Sequence, residues 1–213
     1  MVSRILEDLR AEHRTMRKLL EMLQRQIELV ADDRPPNGDL LLEITEYFRS
    51  YPDLFHHPKE ELILRRVADR NPGALQALAT LEEAHEDCSR ELGRFSRAVV
   101  RLLIEPHEAE GRFLSAALAF VEREHRQMTW EDEQLFTLAE RSLNDNDWTQ
   151  IEASLTSLAD PAKQREAQCG SGHLGRTIEG WRTKALPDPR NCGLRPAVRG
   201  GNSRVFDCHG EAY

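Results

Sequence analysis

Apolar residues recur at spacings of three and four along four long stretches of the chain, the period of one buried face of an α-helix. In the first stretch, from about Ser3 to Val30, they are Leu6, Leu9, Met16, Leu20, Leu23, Ile27 and Val30. Ser3 is the predicted N-cap. The segment 32–39 (DDRPPNGD) ends this helix, because two prolines and a glycine cannot continue it. The second stretch runs from about Asp39 to Arg70 and contains Pro52 and Pro58. Each proline removes a backbone donor, so a break or kink is expected between Ser50 and Pro58. Asn71-Pro72 pairs an N-cap with proline at the first helical position and opens a third helix, to about Leu103. Glu105-Pro106 repeats the signal and opens a fourth, to about Leu143. Beyond the polar turn 144–147, Trp148 to Leu158 predicts a short fifth helix across one end. No stretch reads as a strand. Four amphipathic helices with short connections predict an all-α protein, an antiparallel up-down-up-down four-helix bundle.

The informative positions are those that interrupt the apolar stripes. In the first helix the stripe 6, 9, 13, 16, 20, 23, 27 is apolar except for His13. In the third, Leu78, Leu81, Cys88, Leu92, Phe95 and Val99 are interrupted by His85. A buried imidazole needs partners for both ring nitrogens. One such residue is most simply a satisfied core histidine; two on facing helices at similar depth point to a shared ligand. The second helix contains His-x-x-x-Glu twice, as His56/Glu60 and His57/Glu61. This spacing sets an imidazole and a carboxylate one turn apart on one face. Positions 56 and 60 continue into Ile63, Leu64 and Val67, whereas 57 and 61 continue into the mixed face of Leu64, Arg65 and Ala68. His56 and Glu60 are therefore assigned inward, and His57 and Glu61 to the surface or to a supporting shell. In the fourth helix Glu131 interrupts Phe113, Ala117, Phe120, Val121, Met128, Leu135 and Leu138. Alone it reads as part of a solvated acidic run. Together these groups would be costly to bury without a cation. Histidines with carboxylates suit first-row transition metals, iron foremost, rather than calcium or magnesium.

Composition narrows the class. The chain has 213 residues and a formal net charge of −8. The acidic balance argues against nucleic-acid binding. No apolar run approaches the length of a membrane span, and the N-terminus lacks a secretory h-region, so a cytoplasmic protein is expected. No phosphate-binding glycine loop or nucleophile elbow is present. The charge is unevenly divided. Residues 1–160 carry 20 Lys and Arg against 32 Asp and Glu, net −12. Residues 161–213 carry 9 against 5, net +4, with 8 of the 12 glycines and 3 of the 4 cysteines. Two regions follow: a helical metal-binding domain over 1–160 and a basic, disordered tail over 161–213. In the tail, Cys169, His173, Cys192, Cys208 and His209 lack the paired Cys-x-x-Cys spacing of a zinc site.

The segments LRAEH (9–13), YPDLFHHPKEEL (51–62), LEEAHE (81–86) and MTWEDEQLFTLAE (128–140) resemble, in order and spacing, the hemerythrin-like (HHE cation-binding) domains. HHPKEE is the most specific of them. The resemblance covers roughly residues 1–160. It implies a four-helix bundle around a non-haem iron centre of two ions, or one. Its partner would be oxygen or another small diatomic ligand. The metal positions carried over are His13, His56, Glu60, His85 and Glu131. There are two departures. Gln127 stands where the fourth-helix motif has a histidine, and Ser89 stands where the oxygen carriers have a second histidine on the third helix. His125 lies two residues away, about 200° around the helix, and would need a shifted helix to replace it. A reduced ligand set implies an open coordination position, a single ion or a decayed site. The role implied is binding or sensing oxygen, or holding iron under stress, rather than turnover. The alternatives are iron–sulfur repair, peroxide or nitric-oxide chemistry at an open position, or an interaction module with a degenerate site.

Overall fold

The computed structural model describes residues 3–158, all helical or in short connections, with no strand among them. Helix α1 (Arg4–Ala31) begins where the Ser3 hydroxyl accepts the Ile5 amide at 3.3 Å. Helix α2 (Gly38–Tyr51) is capped by Asn37, whose Oδ1 accepts the Leu40 amide at 3.0 Å.

The break expected between Ser50 and Pro58 is a π turn. Residues Pro52–His56 form it, and the His57 amide donates to the Pro52 carbonyl before α3 (His57–Arg70) resumes. A 3₁₀ turn, Pro72–Ala74, leads into α4 (Leu75–Ile104), with Asn71 Oδ1 accepting the Gly73 amide at 3.1 Å. Helix α5 (Pro106–Trp130) follows after Glu105. A second π turn, Glu131–Leu135, divides the predicted fourth helix and leads into α6 (Phe136–Ser142). Apolar periodicity tolerates one inserted residue, which is why this turn left no mark on the pattern.

The last helix, α7 (Asp145–Leu158), starts three residues before the predicted Trp148. Asn144 and Asp147 cap it reciprocally, amide to carboxylate at 3.0 Å and amide to side-chain carbonyl at 3.1 Å. The tail 161–213, with its cysteines and histidines, lies outside the described residues.

The four rods are α1, α2–α3, α4 and α5–α6, packed antiparallel as neighbours in a bundle. Two apolar regions fill it. Leu6, Leu9, Ile63, Val67, Leu135 and Phe136 pack near α7 with Trp148 and Ile151. Along the rods, Phe48, Phe95, Phe113 and Phe120 interlock, Phe95 stacking on Phe120 at 5.0 Å. Fully burying each such ring stabilises the fold by about 1.5–3 kcal/mol. The polar interruptions of the stripes fall between these two regions.

Candidate metal centre

Each rod contributes at least one polar side chain to a single cluster. His13 comes from α1, His56 from the end of the first π turn, Glu60 from α3, His85 from α4 and Glu131 from the start of the second π turn. His13 and Glu60 are 0% exposed, and His56 and Glu131 are 2% exposed. Ligand-type atoms of these four lie within 4.8 Å of one another. His85 is less deeply buried.

The carboxylates link two groups of nitrogens. Glu60 Oε1 lies 3.2 Å from His56 Nε2 and 3.9 Å from His13 Nε2, while its Oε2 lies 3.3 Å from His85 Nε2. Glu131 Oε2 lies 3.1 Å from His13 Nε2, and its Oε1 lies 3.6 Å from His85 Nε2. His13 and His56 face each other directly, Nε2 to Nε2, at 3.0 Å. Their other nitrogens are held from outside. His13 Nδ1 meets Asp132 Oδ1 at 3.0 Å, and Asp132 in turn pairs with Arg17 at 2.6 Å. His56 Nδ1 meets Glu12 Oε2 at 2.9 Å, and Glu12 also accepts from Tyr51 and Lys59. Such carboxylate–histidine pairs fix the tautomer and leave Nε2 free for a cation. Phe136 stacks on the His13 ring at 5.4 Å and walls the site.

Without a cation, protons neutralise the cluster. Burial disfavours the His56 imidazolium, but the nearby Glu60 charge, the Glu12 hydrogen bond and the Glu131 charge prevail and raise its pKa to about 10. Burial likewise opposes charge on His85, and Glu131 and Glu60 outweigh it, giving about 9. His13 is raised against burial by Asp132 and Glu131. Burial would push Glu131 up, but His13 and His85 hold it well below the carboxylate range.

Metal binding can be tested on the least satisfied atoms. Neither Glu60 oxygen has an aligned hydrogen-bond donor although both lie within 3.3 Å of a ring nitrogen, and His85 Nε2 is unpartnered too. A fully buried carboxylate without donors is costly. A divalent cation satisfies both oxygens and relieves the facing Nε2 atoms, so the residues fit a histidine–carboxylate metal centre.

Several residues differ from the sequence expectation. Glu61 supports nothing at the centre; it pairs with Arg65 on the surface of α3. His57, assigned with it, lies at the cluster: its ring stacks on His85 at 3.8 Å, and its Nδ1 meets Asp53 Oδ1 at 3.0 Å. Glu12 and Asp132 went unrecognised. Each adjoins a candidate ligand in sequence, but adjacent helical residues diverge by about 100°, so pattern alone does not draw them in. Gln127 is buried and donates through Nε2 to Glu131 Oε1. His125 does not reach the cluster; it lies half-buried near Arg17 and Glu21.

A cavity of about 30 Å³ adjoins the cluster on the side of the two departures, between His56, Cys88, Ser89, Glu124, Gln127 and Glu131. It has room for about one water-sized molecule. Glu124, also unrecognised from the sequence, lines the cavity with Cys88, and burial with the nearby Glu131 charge pushes its carboxyl up to about 7.

A helical bundle with a buried histidine–carboxylate cluster across all four rods defines a metal-binding bundle protein. The chain matches the model of the hemerythrin HHE cation-binding domain over residues 4–139, and it belongs to that family. No match was found among curated proteins or among solved structures. Among the described residues, no helix is long and apolar enough to cross a membrane.

Proposed function

We propose that this chain is a non-haem iron protein that binds or senses oxygen or a related small molecule, or holds iron under stress. One ion would take His13 and His56, the other His85, with Glu60 and Glu131 shared between them. The observation that supports this is Glu60: fully buried, without an aligned hydrogen-bond donor, one oxygen toward each group of imidazoles. Bound iron supplies a redox-active Lewis acid with positions open to exogenous ligands. The chain's own residues then have distinct tasks. Asp132 and Glu12 orient His13 and His56. Phe136 and the surrounding apolar side chains limit water. Gln127 donates to Glu131, restraining its carboxylate.

The test is metal content per chain after anaerobic iron loading, with an optical spectrum before and after oxygen. Two irons and an oxygen-dependent band are the expected result. No iron, with unchanged helicity, would favour an interaction module with a degenerate site. A second reading, chemistry on peroxide or nitric oxide, is favoured by the cavity beside the cluster, where Glu124 can hold a proton near neutral pH. Rapid turnover of either by the loaded protein would establish that reading over reversible binding. We place the protein in a reducing cytoplasm, in keeping with a buried free cysteine at Cys88.

A further inference from the structure

Three histidines share one arrangement: Nδ1 held by a carboxylate, with Nε2 left over. His13 has Asp132 at 3.0 Å, His56 has Glu12 at 2.9 Å, and His57 has Asp53 at 3.0 Å. A surface His–Asp pair one turn apart on a helix would by itself mean little. His57 is different because its ring is only 22% exposed and lies flat on His85, the planes 20° apart. Ligand-type atoms of His57, Glu60 and His85 lie within 4.8 Å of one another. The Glu60 carboxylate in this group is fully buried and has no aligned hydrogen-bond donor, and His85 Nε2 has no aligned partner. The imidazoles are therefore gathered around an unsatisfied acceptor. With Nδ1 committed to Asp53, the nitrogen available to a cation is Nε2.

We propose that His57 is a ligand of the second ion, shared with Glu60 and His85, and supplies an imidazole nitrogen that Gln127 and Ser89 do not. The assignment rests on the two-ion reading above. It changes the view of the HHPKEE segment. Both of its histidines bind, one to each ion, because adjacent residues at the end of a π turn diverge around the rod while Glu60 reaches both groups. Asp53 is then a positioning residue that holds the His57 ring as Glu12 holds His56.

The test uses the full chain stripped of metal and titrated with cobalt(II), comparing wild type with H57Q and D53N. Equilibrium dialysis counts the ions, and proton NMR counts exchangeable imidazole N–H signals shifted by the paramagnetic metal. Wild type is expected to bind two ions. H57Q should keep the first and weaken the second at least tenfold, with loss of one shifted N–H signal and unchanged helicity by circular dichroism. D53N should weaken the same ion about tenfold, at the lower end of the effect of removing an outer partner of a ligand histidine. H57Q that binds two ions with wild-type affinity and keeps every signal overturns the proposal. Wild type binding one ion overturns it too, and leaves the His13–His56 centre standing. Wild type binding none overturns the centre itself. Should H57Q lose helicity, D53N decides: unchanged affinity for the second ion sinks the assignment.

Discussion

His13 and His56 meet Nε2 to Nε2 at 3.0 Å, while Asp132 and Glu12 hold both Nδ1 atoms. If each carboxylate keeps a proton on its Nδ1, both inner nitrogens present lone pairs to each other. Neither can donate. A proton or a metal ion between these rings and the carboxylates of Glu60 and Glu131 removes the conflict, and the two compete for the same atoms.

That competition sets the pH dependence of the metal-free protein. His56 and His85 titrate at about 10 and about 9 in the fold, above the ordinary histidine value, so their stabilisation is complete below about pH 6.5 and lost as pH rises through those values. Glu124, raised to about 7, acts in the same direction, because its ionised form is disfavoured in the fold. Glu131 is depressed, so its contribution is lost only in acid. Chelator-treated protein should therefore melt at progressively lower temperature from pH 6.5 to 10, followed by circular dichroism. A melting temperature that rises over this range would contradict the assignment of protons to the cluster. Metal affinity should rise over the same range.

Glu60→Gln replaces the carboxylate that faces both groups of imidazoles. It should abolish binding of both ions, a loss beyond the ~10–100-fold effect of removing an outer partner. The bundle should keep its helicity, since the apolar packing on either side of the cluster is untouched. Elemental analysis and far-ultraviolet circular dichroism check the two halves separately.

Glu12→Gln leaves every candidate ligand in place. It replaces the carboxylate that holds His56 Nδ1 and that Tyr51 and Lys59 brace. Affinity for the first ion should fall about 10–100-fold with unchanged stoichiometry, read by competition with a chromogenic chelator.

Gln127→His places an imidazole beside Glu131 on the wall of the cavity. It should tighten the weaker ion at least tenfold while leaving the stronger one unchanged. Isothermal titration with cobalt(II) resolves the two. No gain would show that position 127 does not face the second ion.

Phe95→Ala tests the separation of fold from site. Phe95 is fully buried on α4, ten residues or about 15 Å of helix from His85, and stacks on Phe120. The substitution should cost about 3–5 kcal/mol of stability, measured by urea denaturation. The number of ions bound below the transition should not change.

The rods and their inward faces were legible because helix periodicity is local. Three to four residues per turn determine which side chains share a face, and His13, His56, His85, Glu60 and Glu131 each interrupt such a face. The second π turn was not legible, because one inserted residue rotates the stripe without removing its apolar character. Asp132 sits just inside that turn, beside Glu131, and so its contact with His13 was not foreseen. The mixed face of positions 57 and 61 left both residues at the surface or in a supporting shell; Glu61 lies at the surface, where its neighbour is Arg65, one turn on.

The sequence by itself determined the helices, the bundle and the family, along with the polar residues that had to be buried together. Those properties follow from spacing along one rod and from the cost of burying polar groups alone. Tertiary structure decided which atoms meet. The facing of His13 and His56, the outer hold of Glu12 and Asp132, the stacking of His57 on His85 and the cavity beside Gln127 all join residues of different rods or depend on a π turn. Their distances depend on how the rods rotate and slide against one another, which the packing of the whole core determines and no single helix encodes.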